Sequence, residues 1–133
     1  MRNSAQDWSQ MALDALRLDY DADVPRYVQL ADEMLRAIAL LGGENGVQLP
    51  SVRQVTSHCR LNGHTVRIAY QRLRALGCVA IAHGNGAHVS DAALARSCFA
   101  AIVRKRLHAA IADEIALGTP RLVLRAMIKG AVA

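Results

Sequence analysis

Glycine-containing turns divide the middle of this chain into short segments, which leaves no room there for a large sheet or a long helix. GGENG, residues 42–46, ends one helical pattern, and Gly77 ends another. GNG, residues 84–86, is typical of a hairpin turn between two strands. The spacing therefore predicts short helices followed by a small hairpin over residues 47–90.

The hydrophobic periodicity predicts a mainly α fold with a small β-hairpin. Helices are expected over residues 4–18, 25–41, 51–58, 62–76 and 91–117, with a last short helix capped by Thr119. Strands are expected at Val79–His83 and Ala87–Val89, with Val47–Leu49 as a further short candidate. Two short helices joined by a few residues and followed by a hairpin predict a winged helix-turn-helix domain.

The charge is distributed unevenly along the chain. Residues 47–90 hold five Arg, four His and no acidic residue, whereas residues 1–46 hold eight Asp and Glu. A block without acids carries a positive potential, which attracts polyanions such as nucleic acid. The alternative is a basic surface that is simply solvated.

The start of the fourth predicted helix has the features of a DNA-reading helix. Asn62 can cap it, and Gly63 lets the backbone approach a phosphate at the helix N-terminus. His64 and Arg67 are expected to point away from the apolar face and to reach base edges, and the Thr65 hydroxyl is expected to donate to a phosphate. Arg67 is the best candidate for a bidentate guanine contact, because this block contains no acid with which it could pair.

Three motifs carry a family resemblance: LPSVRQV at residues 49–55, TVRIAYQRLRALG at 65–77 and HGNGAHV at 83–89. Together they resemble the winged-helix domain of GntR-family transcription regulators, and the short helical tail resembles the YtrA-like branch. The resemblance implies a sequence-specific DNA-binding transcription regulator that binds an inverted repeat in double-stranded DNA as a homodimer, and a repressor is expected. It divides the chain into an N-terminal helix and connector, a winged-helix domain and a two-helix dimerisation segment, at residues 1–24, 25–90 and 91–133.

The resemblance also assigns roles to individual residues. It implies that Arg53 contacts DNA and that Ser51, at a helix start, lies near the DNA backbone. In the wing it implies entry into the minor groove at four residues, His83, Gly84, Asn85 and Gly86. Gln71 is a further candidate for a phosphate contact. The chain departs from the family at Gly63, where many members carry a long polar side chain.

An apolar helix stripe after Ser90 is expected to remain uncovered once the wing domain has folded, and a second subunit is the simplest way to bury it. The dimerisation residues predicted on the two C-terminal helices are Leu94, Cys98, Ile102, Leu107, Ile111 and Leu122. The alternative function is a protein–protein interaction module whose C-terminal helices bind another protein, with DNA binding secondary. Whether a small-molecule effector exists stays open.

Other classes of function find little support in the sequence. No carboxylate pair, nucleophile triad or phosphate-binding loop is visible, so neither an enzyme nor a cofactor is expected. Cys59, Cys78 and Cys98 lack metal-ligand spacing and are expected to behave as small apolar residues, with redox sensing a lesser alternative. No apolar run is long enough to span a membrane and no signal sequence is apparent, so a cytoplasmic location is expected.

Overall fold

The structure, a computed structural model, describes residues 4–82 and 86–133. Within these ranges the elements are α1 (Ser4–Ala15), α2 (Arg26–Leu40), α3 (Val52–Cys59), α4 (Gly63–Ala75), β1 (Val79–Ala82), β2 (Gly86–Val89), α5 (Ala92–Ala116) and α6 (Arg121–Val132). This order confirms the prediction of a mainly helical chain with one small hairpin. The chain divides into two compact units, Met1–Phe99 and Ala100–Ala133, with the division inside α5.

The core of the first unit is built where α2 packs on α4. The buried side chains of each helix recur at helical spacing and form one face. These residues are Leu30, Ala31, Met34, Leu35, Ala37 and Ile38 on α2 and Val66, Ala69, Tyr70 and Leu73 on α4. The first helix joins this core, since Trp8, Ala12 and Leu13 are also buried. The N-terminal helix is therefore part of the first unit.

Local side-chain caps define the helix-turn-helix. Ser51 Oγ accepts a hydrogen bond from the backbone N of Gln54 at 3.1 Å, and Gln54 Oε1 accepts one from the backbone N of Ser51 at 2.8 Å. This reciprocal arrangement is a capping box. Arg60 ends α3 in the left-handed conformation, with φ of 53°. The chain then turns through two residues into α4, whose N-cap is Asn62 as predicted.

The hairpin pairs β1 and β2 in antiparallel register, with Val79 opposite Val89. The predicted strand at Val47–Leu49 is reduced to one bridge, between Gln48 and His88. This segment still hydrogen-bonds to the edge of β2 that faces away from β1, where Val89 N donates to Val47 O at 2.8 Å.

Two predicted helix boundaries were wrong. The first helix ends at Ala15, not residue 18, because α2 side chains hold the chain beyond it: Arg17 N donates to Glu33 Oε1 at 2.8 Å. The last helix was expected to be capped by Thr119. Its N-cap is Pro120, and the Thr119 hydroxyl donates to Glu114 Oε1 at 3.2 Å instead.

The second unit consists of the C-terminal part of α5 and the helix α6. None of the residues of α6 is buried. Ile111 and Ile115 of α5 and Leu124 and Ile128 of α6 line one groove of about 510 Å³. A second groove of about 390 Å³ is mostly apolar, and its lining includes Leu107.

Candidate nucleic-acid interface

The N-terminus of α4 is open to solvent and free of negative charge. Asn62 Oδ1 accepts a hydrogen bond from the backbone N of His64 at 2.8 Å, and no acidic residue occurs in the first turn. The remaining free N–H groups and the positive end of the helix dipole favour an anion at this point. The Asn62 side chain is used in the cap, so its expected contribution is to shape the helix start rather than to contact a base.

The side chains of α4 divide between the core and solvent as the sequence predicted. His64 and Arg67 are exposed, on the side opposite the buried face, and Thr65 is half-buried. A Cβ atom added to Gly63 would lie 3.4 Å from Arg67 Nη1, so the Arg67 guanidinium passes directly beside this glycine. The missing side chain at Gly63 gives Arg67 its space.

A groove of about 260 Å³ brings four of the predicted DNA-binding residues together. It is enclosed by the start of α3, the outer side of α4 and the hairpin, and its lining includes Ser51, Arg67, Gln71 and Gly86. The groove therefore joins parts of the helix-turn-helix and of the wing that lie far apart in the sequence.

The floor of this groove is fixed by a buried tyrosine. The Tyr70 hydroxyl donates to the carbonyl oxygen of Pro50 at 2.6 Å, which ties α4 to the residue preceding the α3 cap. Burial, with a smaller contribution from Cys59, raises the pKa of Tyr70, so the hydroxyl stays protonated and keeps donating. Tyr70 is thus a core residue that also lines the groove.

The predicted arginines have no carboxylate partner in the part of the chain that the structure describes. Arg53 on α3 and Arg67 on α4 are both exposed, and neither forms an ion pair within residues 4–82 and 86–133. Gln71 is also exposed, and its Oε1 accepts a hydrogen bond from Arg74 Nη1 at 3.4 Å. The positive charge of this surface is thus available to an external anion.

The wing is described in part. His83, Gly84 and Asn85 lie outside the described residues. Gly86 begins β2 with φ of +74°, a conformation that favours glycine. His88 is half-buried and lies opposite Ala80.

Some residues of the groove were not expected from the sequence. Ile81 is 37% exposed and lines the groove together with Val52. The alternation in VAIA indicated that Val79 and Ile81 share one face of the strand. That Ile81 reaches the groove depends on the packing of the hairpin beside α4, for which the sequence carries no local signal.

The predicted dimerisation residues fall into two groups. Leu94 packs over the chain's own Gly77, where an added Cβ would lie 3.2 Å from Leu94 Cδ2, and Cys98 Sγ lies 4.0 Å from Cys78 Sγ. Four others lie in the second unit, namely Ile102, Leu107, Ile111 and Leu122. Leu107 and Leu122 are 57% and 78% exposed.

No group of three or more His, Cys, Asp or Glu side chains within residues 4–82 and 86–133 is arranged to hold a metal ion. Across the same described ranges, none of the helices combines the length and apolarity that crossing a membrane requires.

Comparison with known proteins supports the winged-helix architecture. No family model matches the sequence. A GntR family transcriptional regulator from Listeria monocytogenes superposes with a TM-score of 0.73, at 22% sequence identity, covering 84% of this chain and 98% of that one. YtrA from Sulfolobus acidocaldarius, a GntR-family transcription factor, superposes with a TM-score of 0.54 at 26% identity, covering 71% of this chain and 98% of that one. The resemblance to GntR-family regulators is confirmed.

A sequence relative points the same way. The uncharacterized HTH-type transcriptional regulator YhcF of Bacillus subtilis is 27% identical over 74 residues, which is 56% of this chain. The match spans 61% of that relative's own length. This chain therefore has the winged-helix fold seen in GntR-family regulators.

Proposed function

We propose that this chain is a DNA-binding transcription regulator that binds an inverted repeat as a homodimer, with α4 in the major groove. The observation that carries the proposal is the groove at which Ser51, Arg67, Gln71 and Gly86 converge, whose lining holds no acidic residue. The GntR-type fold, with its helix-turn-helix and hairpin, supports the same function.

In this proposal Arg67 and His64 read base edges from the first turns of α4. Both side chains are exposed, and the adjacent Gly63 removes a side chain that would hold the backbone away from DNA. A guanidinium can donate two parallel hydrogen bonds to guanine O6 and N7, which contributes about 1–3 kcal/mol of discrimination. Thr65 and the free N–H groups at the helix start would bind a phosphate.

Phosphate contacts would come from the surfaces around α4. Arg53 on α3 and Gln71 on α4 are exposed, and Gln71 also lines the groove. The hairpin tip, with His83, Gly84, Asn85 and Gly86, would enter the minor groove. Because such contacts release counterions, affinity should fall steeply as salt is raised.

Homodimerisation would use the apolar surface of the second unit. Leu107 and Leu122 are exposed there, and Ile111 lines both grooves between α5 and α6. An exposed apolar surface of this kind marks an interaction site in a monomer. Two copies would present two recognition helices to an inverted repeat, and occupation of such an operator would repress transcription.

The test is selection of bound duplexes from a random pool by the full chain, followed by titration of the enriched site at several salt concentrations. A spaced inverted repeat and a steep negative salt dependence are expected. Arg67→Ala should weaken binding to the selected site by about 1–3 kcal/mol and relax preference at one position of each half-site. Failure to enrich any sequence would contradict the proposal.

The matched control is Arg96→Ala, which removes the same charge from an exposed position on α5. It should lower affinity only slightly and equally for all sequences, since it alters net charge without removing a base contact. Equal losses for the two variants would argue against base reading by Arg67.

The alternative is an interaction module whose second unit binds a different protein. The apolar groove lined by Leu107 favours this alternative if a different protein, and not a second copy of this chain, covers the groove. A monomer that binds no selected duplex, yet retains the winged-helix fold, would favour this alternative over the regulator.

A further inference from the structure

The cysteine pair at Cys78 and Cys98 lies away from the groove and has no part in the proposed DNA contacts. Their Sγ atoms are 4.0 Å apart, although the residues are 20 positions apart in the sequence. Both thiols are free, and the pair lies within the first unit. We propose that Cys78 and Cys98 form a reversible intramolecular disulfide when the protein meets a hydroperoxide.

The backbone holds Cys78 firmly in place. Its N–H donates to Leu73 O at 3.2 Å, and its carbonyl accepts from Ser90 N at 3.0 Å and from Asp91 N at 3.3 Å. The residue is thus anchored to the end of α4 on one side and to the residues that precede α5 on the other.

The first turns of α5 are anchored as well. Ala92 and Ala95 are buried, and Ala92 N donates to Asn45 Oδ1 at 2.8 Å. Cys98 follows on the same helix and stays half-buried. A disulfide requires the sulfurs to close to about 2.05 Å, a movement of about 2 Å that rotation of the two side chains can share.

The difference in burial sets the order of the chemistry. Cys98 is partly exposed and meets the oxidant, whereas Cys78 is fully buried. Burial, and next the nearby Cys98, raises the pKa of Cys78 to about 12, so Cys78 is a poor first nucleophile toward a reagent in solvent. Its role is to attack the adjacent sulfur after Cys98 has been oxidised.

The step balances as a two-electron oxidation. The Cys98 sulfur attacks the hydroperoxide, forming an S–O bond and breaking the O–O bond, which gives a sulfenic acid and releases water or an alcohol. The Cys78 sulfur then attacks the Cys98 sulfur. The S–S bond forms, the S–O bond breaks, and hydroxide leaves with the Cys78 proton as water.

The disulfide would close one covalent loop around both strands of the wing. β1 and β2 lie between the two cysteines in the sequence, as do the residues that lead into α5. Closing a loop restricts the unfolded chain, and here it also limits local opening of the hairpin. Oxidation would therefore slow amide exchange in β1 and β2.

The test is intact-mass measurement of the full chain after hydrogen peroxide treatment and alkylation of the remaining thiols. The expected product has lost two hydrogens, carries one alkylated cysteine, Cys59, and yields a peptide that links residues 78 and 98. Dithiothreitol should restore three alkylated thiols. Hydrogen exchange of the oxidised protein should show slower exchange in β1 and β2.

Cys59→Ser is the matched control, since it removes the cysteine outside the pair and should leave the linkage intact. Cys98→Ser should abolish the linkage, and circular dichroism would verify that this half-buried site tolerates the change. Three results would overturn the inference: three alkylated thiols after peroxide treatment, irreversible oxidation of Cys98 to sulfinic acid, or a Cys98–Cys98 link between two chains.

Discussion

The two units differ in how far their apolar side chains are buried. In the first unit, helices α1 to α4 and the hairpin share a core in which the largest side chains, among them Leu30, Met34 and Leu73, are fully buried. In the second unit, α6 contains no buried residue, and Leu122 and Val132 are about four-fifths exposed.

From this difference we expect the first unit to fold by itself and the second to be stabilised by a partner. A buried Leu contributes to folding in any single chain, whereas an exposed Leu contributes only when a second surface covers it. The acid-free block of residues 47–90 lies in the first unit, and the exposed apolar side chains of α6 lie in the second. Reading of DNA and association are thus expected from different parts of the chain.

The largest expected effect comes from truncating the same residue type in both units. Leu73→Ala should lower the free energy of unfolding by about 2–5 kcal/mol, because it leaves a cavity between α4 and α2. Leu122→Ala should change it by less than about 0.5 kcal/mol in dilute solution, since Leu122 is exposed. Urea titration at low protein concentration measures the free energy of unfolding of both variants. Similar losses for the two variants would contradict the proposed difference between the units.

The next effect concerns association. Leu107→Asp places a charge on the apolar groove of the second unit and should weaken dimerisation about a hundredfold, or about 2.7 kcal/mol. Sedimentation equilibrium gives the dissociation constant. Leu117→Asp is the matched control, because Leu117 is 79% exposed at the end of α5 and does not line either groove. A dimer insensitive to Leu107→Asp would place the interface elsewhere.

The smallest expected effect is that of Gly63→Ala, which should raise the stability of the protein and lower its affinity for DNA. Gly63 has an ordinary helical φ, and an added methyl would be 3.4 Å or more from its neighbours, so Gly63→Ala should stabilise the protein by about 0.4–1 kcal/mol. The same methyl crowds Arg67 and the DNA backbone, so affinity for the selected duplex should fall. Thermal unfolding and duplex titration test the two halves.

Gly43→Ala is the contrasting glycine variant. A Cβ there would come within 2.8 Å of Ile38 Cα and 3.0 Å of a Trp8 ring carbon, so the change should destabilise the core by about 1–3 kcal/mol. If both variants were destabilising, Gly63 would have to be a structural glycine.

The sequence predicted the helix-turn-helix well because its determinants are local. The Ser51 capping box and the Asn62 cap each depend on residues two or three positions apart, and both are present. The hairpin register likewise follows from the short turn between its strands. These are the features that place the recognition helix and the wing.

The faces of the C-terminal helices could not be predicted in the same way. Apolar residues occur on nearly every side of α5, so periodicity does not select one face of that helix. The predicted stripe included Leu122, whereas Leu124 and Ile128 line the groove with α5. The contact of Leu94 with Gly77 and that of Cys98 with Cys78 depend on tertiary packing, which no local signal reports.

The strand-like segment before α3 connects the hairpin to the helix-turn-helix. Leu49 N donates to Ala87 O at 2.9 Å, and Gly46 N donates to Val89 O at 2.7 Å, so β2 is held on both sides. The segment continues within two residues into Ser51, the cap of α3. If the hairpin enters a minor groove, a displacement of the hairpin would be transmitted through these hydrogen bonds to the start of α3. The hairpin and the helix-turn-helix would then move together on DNA.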